Sequence, residues 1–113
     1  MRKGTISYRL FDYSYKKEHC REAISAYKKA LNIYQRKQMR REYAKAQRMI
    51  GTVYSALSDM ENPLANMEKA IQAFNESLKM LSDSEFPLEF AEVQYDRGVA
   101  YFKLAQAGSK IEN

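Results

Sequence analysis

Ala70-Ile71-Gln72-Ala73-Phe74 repeats, 47 residues later, the pattern of Ala23-Ile24-Ser25-Ala26-Tyr27. The same offset relates further identical residues without a gap: Leu31 and Leu78, Glu42 and Glu89, Ala44 and Ala91, Gln47 and Gln94, Gly51 and Gly98, Tyr54 and Tyr101, and Leu57 and Leu104. Repeats of this length are typical of arrays of stacked structural units. We therefore interpret the chain as a repeat protein with a 47-residue unit.

The spacing of apolar residues within the unit is helical. Ala23, Tyr27, Ala30, Leu31 and Tyr34 recur every three or four residues, so they share one face of an amphipathic helix. No segment shows sustained alternation of period two. The pattern predicts an all-α fold.

Start signals divide the chain into helices. Asn62-Pro63 is expected to cap and open a helix, and Ser84 with Pro87 gives the same signal again. We predict one domain over residues 1–113, with a truncated first hairpin (1–36), a second hairpin (39–82) and a C-terminal capping helix. The five predicted helices are at 3–14, 17–36, 39–60, 64–82 and 86–107.

Glycine recurs inside the predicted helices, at Gly4, Gly51 and Gly98. Each costs about 1 kcal/mol relative to Ala in a helix interior. Close approach of a neighbouring helix is a sufficient reason, and the Ala pairs of each unit would supply the matching small surface. We expect close packing at these positions, clamped by Tyr27, Phe74, Tyr54 and Tyr101.

A helix with Gly-x-x-Tyr followed by one with Ala-x-x-x-Phe or Tyr resembles the tetratricopeptide repeat (TPR). The matching segments are Gly51-Thr52-Val53-Tyr54 with Ala70-Ile71-Gln72-Ala73-Phe74, and Gly98-Val99-Ala100-Tyr101. The resemblance implies a TPR-like right-handed α-solenoid of antiparallel helix-hairpin repeats that acts as a protein-protein interaction scaffold. The common unit has about 34 residues, so the longer unit implies a long-helix variant, with both helices extended by roughly two turns.

The resemblance also implies a groove, lined by the Gly-bearing helices, that binds a peptide or protein segment. Transferred by register, the candidate groove residues are Thr5, Arg9, Lys45, Arg48, Thr52, Ser55, Tyr95 and Lys103, with Glu92 and Val99 on the same face. The basic groups lead to the hypothesis that the partner is acidic, bound by charge-assisted hydrogen bonds. The alternative is a solvated basic face.

Charge is unevenly distributed along the chain. Residues 1–48 carry 14 Lys or Arg and 4 Asp or Glu, whereas residues 49–113 carry 5 and 10. Three interpretations remain open: differently solvated surfaces, an acidic partner for the basic half, and head-to-tail association between chains.

No catalytic or metal-binding pattern is present in the sequence. The chain has one His and one Cys, and His19 and Cys20 are adjacent, so on a helix they cannot face one site. We predict a protein that is not an enzyme and has no cofactor. The single Cys fits a reducing compartment, and the apolar runs are far shorter than the ~20 residues of a membrane span. We expect a cytoplasmic protein.

Two alternatives to peptide binding stay open. Basic residues alternate with Tyr in the N-terminal half, as in Tyr27-Lys28-Lys29, which could bind single-stranded nucleic acid. Self-association is the other, because the truncated first helix cannot cover the apolar face of residues 17–36 and repeat arrays need polar caps. We therefore expect a homo-oligomer formed through the N-terminal helix, or a piece of a longer array.

Overall fold

Helices fill nearly all of the chain, as expected from its helical periodicity and its two prolines. The computed structural model describes the backbone of residues 2–112 and the side chains of residues 15–109. Within that range it contains no strand and four helices: α1 (Arg2–Arg36), α2 (Arg40–Ser58), α3 (Pro63–Met80) and α4 (Pro87–Glu112). The predicted all-α class is confirmed.

The prediction of five helices is wrong, because 3–14 and 17–36 belong to one continuous helix, α1. The repeat itself supplies the physical reason. Asn62 takes a left-handed conformation (φ 43°) and Pro63 opens α3, which together make the turn between α2 and α3. Their counterparts 47 residues earlier are Tyr15 and Lys16, which have neither the tolerance of Asn for this conformation nor the missing N–H of Pro. The helix therefore continues, and residues 2–36 form no hairpin.

The turn between α1 and α2 is a Schellman motif. The N–H of Met39 donates to the carbonyl of Tyr34 at 2.8 Å, and that of Gln38 to the carbonyl of Gln35 at 3.1 Å. Gln38 supplies the left-handed residue (φ 56°) that this motif requires. The chain thus reverses direction within a few residues, and α2 lies antiparallel along α1.

In the connection between α3 and α4, Ser82 makes the capping hydrogen bonds, although the sequence pattern pointed to Ser84. The Ser82 hydroxyl accepts a hydrogen bond from the Glu85 N–H at 3.0 Å, and the Ser82 carbonyl accepts one from Phe86 at 2.9 Å. Pro87 then begins α4. Ser84, which was expected to provide the cap, is exposed.

The core joins α2, α3 and α4. Its fully buried residues include Ala44, Met67, Ala70, Phe74 and Val93. Ser77 is also completely buried, and its hydroxyl donates to the carbonyl of Ala44 at 2.7 Å, so a polar contact between α2 and α3 is satisfied inside the core.

The close approach expected at Gly51 is confirmed, but an aromatic ring makes it. A Cβ at Gly51 would lie 2.5 Å from Cε1 of Phe74, a side chain that is only 2 % exposed. The ring of α3 therefore occupies the space that the missing side chain leaves on α2. At Gly98 the expectation is wrong, since a Cβ there would meet no atom within 4 Å.

The two glycines form a matched pair for a stability test. Gly-to-Ala substitution in a helix interior gains about 1 kcal/mol. For Gly98→Ala we expect that full gain, because the methyl group meets nothing. For Gly51→Ala the clash with the buried Phe74 ring costs about 1–3 kcal/mol, so its free energy of unfolding should fall below that of Gly98→Ala by this amount. Urea denaturation at low protein concentration measures the difference, and equal values would contradict the packing.

Candidate functional site

A row of ion pairs runs between α2, with the residue that follows it, and α4, with the connection that precedes it. Arg40 lies 2.9 Å from Glu85, and Arg41 lies 2.7 Å from Glu89 as an ion pair without hydrogen-bond geometry. At the other end Lys103 of α4 lies 3.8 Å from Asp59. The partners are separated by 44 to 48 residues, close to one repeat unit, so equivalent turns of the two helices face each other.

Arg48 occupies the middle of this row and binds two carboxylates. Its Nη1 donates to Glu92 at 2.6 Å and its Nε to Asp96 at 2.8 Å, and the two acids are one helical turn apart on α4. Partial burial alone would lower the pKa of Arg48, but the hydrogen bonds and charges of Asp96 and Glu92 outweigh it, and the pKa is raised. Arg48 is thus a fixed cation that is already neutralised within the molecule.

These pairs give the charge asymmetry of the sequence an internal explanation. Three arginines of the basic half bind acids of the acidic half: Arg40, Arg41 and Arg48. The α1 cations Lys17 and Arg21 also approach an acid, Glu61, at 3.9 and 2.6 Å. Part of the apparent basic surface is therefore compensated before any partner binds.

Four of the predicted groove residues lie together in a cleft of about 390 Å³ between α2 and α4. They are Thr52, Ser55, Tyr95 and Lys103. Lys103 Nζ lies 3.4 Å from Ser55 Oγ, and the Thr52 hydroxyl donates to the carbonyl of Arg48 at 3.1 Å. Phe74 also lines this cleft, so the groove is directly continuous with the α2–α3 contact.

Lys45 and Arg48 line a neighbouring cleft of about 510 Å³, which also contains Leu81 and Leu88. The side chains of the other two predicted residues, Thr5 and Arg9, lie outside the described residues. The predicted groove residues whose side chains are described therefore line two clefts, and Arg48 of one cleft is ion-paired with Asp96 of the other.

An exposed apolar stripe on α4 completes the site, and the sequence prediction identified only part of it. Leu88 is 67 % exposed, Tyr95 72 %, Val99 39 % and Phe102 65 %. Their spacing of seven, four and three residues places all four on one helical face. Leu88 and Phe102 were missed because the pattern alone cannot distinguish an exposed apolar face from a buried one.

A larger open trough, of about 1000 Å³, lies on the other side of α2 and α4. Basic side chains contribute to its lining, including Lys28, Lys69 and Arg97. The ammonium groups of Lys28 and Lys69 lie 6.0 and 5.7 Å from the centre of the Tyr54 ring. Arg97 donates to the Asn75 side chain at 2.8 Å.

Among the described residues, no group of three or more His, Cys, Asp or Glu could hold a metal ion. His19 packs edge-on against Tyr15, with ring centres 4.1 Å apart. No described helix is both long and apolar enough to cross a bilayer.

The central position of Arg48 leads to a stability prediction. Arg48→Gln leaves two adjacent carboxylates without their shared cation, and we expect the free energy of unfolding to fall by about 1 kcal/mol. Arg40→Gln, which removes a single more exposed pair, should change it by less than about 0.5 kcal/mol. Thermal denaturation at low and high salt compares them, and an Arg48 variant as stable as the Arg40 variant would contradict the assigned role.

Comparison with protein families gives one match that spans most of the chain. The family model described as "Soluble NSF attachment protein, SNAP" matches residues 12–111. The searches of curated proteins and of solved structures returned no significant match.

Proposed function

Since the chain belongs to the soluble NSF attachment protein (SNAP) family, we propose that it is a non-catalytic scaffold that holds a partner protein in the groove between α2 and α4. The family name describes attachment of one protein to another, and the groove offers a surface for that task. The arrangement proposed is a TPR-like solenoid with a 47-residue unit. Its support is the separation of 44 to 48 residues between the ion-paired partners of α2 and α4, which are Arg41 with Glu89 and Arg48 with Glu92 and Asp96.

The exposed apolar stripe on α4 is the observation that carries this proposal. Tyr95 and Val99 line the cleft, and Leu88 and Phe102 extend the stripe at either end. Contiguous exposed apolar surface is typical of interaction sites. Exposed aromatic side chains are the residues that most often dominate binding energy at protein interfaces.

The charges around the stripe favour an amphipathic partner over a strongly acidic one. Arg48 is engaged by Glu92 and Asp96, and Lys103 is close to Asp59, so these cations are not free to receive an acidic peptide. Arg41 is likewise paired with Glu89, and Lys45, which is exposed, is the other basic residue that lines the two clefts. We therefore propose a helical segment whose apolar face covers Tyr95, Val99 and Phe102, with at most one carboxylate directed at Lys45.

Nucleic acid is the less favoured ligand. In the basic trough, the two lysine ammonium groups near Tyr54 compete with a base for the face of its ring. Among the tyrosines whose side chains the structure describes, Tyr95 is the most exposed, and it stands on the same helix face as Glu92 and Asp96, which would repel phosphate. We also propose a cytoplasmic location, on the ground that the single Cys20 can form no internal disulfide.

The test is an NMR titration of the isotope-labelled protein with four probes: an amphipathic helical peptide, a Glu-rich peptide, a single-stranded oligonucleotide and purified NSF. We expect the amphipathic peptide to shift the amide signals of residues 95–103. Val99→Glu should weaken its binding at least tenfold, because a charge then faces the apolar side of the peptide, a loss of about 1.4 kcal/mol or more.

Ala65→Glu is the matched control, since Ala65 is exposed on α3 and lines neither cleft. It should bind the peptide as the unmodified chain does. Binding of the oligonucleotide alone, or of the Glu-rich peptide in preference to the amphipathic one, would contradict the proposal.

A further inference from the structure

Helix α4 repeats the surface with which α2 packs on α3. Nothing in the described structure covers this surface on α4. On α2, five residues share the face that packs on α3: Ala44, Gln47, Gly51, Tyr54 and Ser58. Shifted by one repeat unit, the corresponding positions on α4 are Ala91, Gln94, Gly98, Tyr101 and Ala105. Four of the five are identical between the two helices.

Burial differs completely between these two faces. On α2 four of the five residues are buried and Tyr54 is half-buried, whereas on α4 all five are exposed and Tyr101 is 50 % exposed. The glycines make the difference most plainly, since Phe74 fills the space at Gly51 and nothing fills it at Gly98. The α4 face thus has the composition of a helix-binding surface but lacks the helix.

Helix α1 repeats the other side of this contact, because it carries the same motif as α3. Ile24 and its counterpart Ile71 are each 7 % exposed, so this side of the motif is buried in both helices. The other side of the motif behaves differently. Ala26 is exposed although its counterpart Ala73 is only 4 % exposed, and Tyr27 is half-buried although Phe74 is 2 % exposed.

We propose that two copies of this chain associate head to tail, with α1 of one copy packed on α4 of the next as α3 packs on α2. In that register Tyr27 of one copy takes the place of Phe74 and fills the space above Gly98 of the other. The small surface around the Tyr27 ring is supplied by Ala23, Ala26 and Ala30. The residues of this face are not those of the apolar stripe, so the inference does not depend on the proposed function.

Shape favours this pairing over a two-fold one. A two-fold contact between α4 helices would set Gly98 against Gly98 and would leave the exposed Ala26 and the half-buried Tyr27 of α1 without a partner helix. A head-to-tail contact of this kind does not close after two copies and adds further chains at both ends.

Two substitutions, each blocking one side, test the proposal. Ala26→Glu and Gly98→Glu place a carboxylate in the contact, yet both positions are open in the isolated chain, so both variants should fold. Light scattering from micromolar to millimolar concentration should show the unmodified chain growing beyond two copies. Each variant alone should stay at the 13.2 kDa of one chain.

The mixture of the two variants tests most directly whether α1 of one copy contacts α4 of another. Each retains the side that the other lacks, so an equimolar mixture should form one contact and stop at two chains. Ser25→Glu is the matched control, because Ser25 is exposed and so is its counterpart Gln72, and it should grow like the unmodified chain. Circular dichroism checks that all variants are folded.

Three results would overturn the inference. One is an unmodified chain that stays monomeric throughout the concentration range. Another is growth of either blocking variant alone, which would indicate a two-fold or unrelated contact. The third is a mixture that remains monomeric while the unmodified chain associates.

Discussion

The packing of the Phe74 ring into the space left by Gly51 is the contact on which the rest of the structure depends. It brings α2 and α3 close enough for the buried Ser77 hydroxyl to reach the carbonyl of Ala44. A side chain at position 51 would push the helices apart and leave that hydroxyl unsatisfied, which is costly in a core. With α3 fixed, Val93 and Ala100 of α4 pack against it, and α4 then lies beside α2.

The ion pairs between α2 and α4 are consequences of this arrangement. Exposed pairs contribute little individually, and only Arg48, which holds two carboxylates, combines several charges at one point. Their main effect is to neutralise basic side chains that line the two clefts. What then distinguishes the groove from the remaining surface is its exposed apolar stripe, with Tyr95 and Phe102 its largest members.

Helix α4 consequently presents three different faces. One, with Val93, is buried on α3; one, with Tyr95, borders the groove; and one, with Gly98, has the composition of a helix contact and no partner in the described chain. The second and third faces adjoin, since Tyr95 and Phe102 each lie about one helical turn from Gly98.

The sequence was sufficient to predict the helical class, the turn at Asn62-Pro63 and the special role of Gly51. These features depend on local residue preferences and on the repeat. The continuity of α1 was predictable in principle, since Tyr15-Lys16 replaces the Asn-Pro pair, but the periodicity alone does not reveal it. The open environment of Gly98 and the pairing of Arg48 were not predictable, because both depend on which helices are present as neighbours in space.

The most direct test of the central claim, that α4 repeats the helix-binding face of α2, is a cross-link between copies. Ser58 Oγ lies 2.9 Å from Met67 Sδ, and the counterparts of these residues are Ala105 and Cys20. A short thiol cross-linker acting on Ala105→Cys should therefore join it to Cys20 of a neighbouring copy and give a ladder of covalent oligomers, which should disappear when Cys20 is also replaced by Ser. Cross-linking no greater than that of Val99→Cys on the groove face, or a ladder that survives removal of Cys20, would contradict the account.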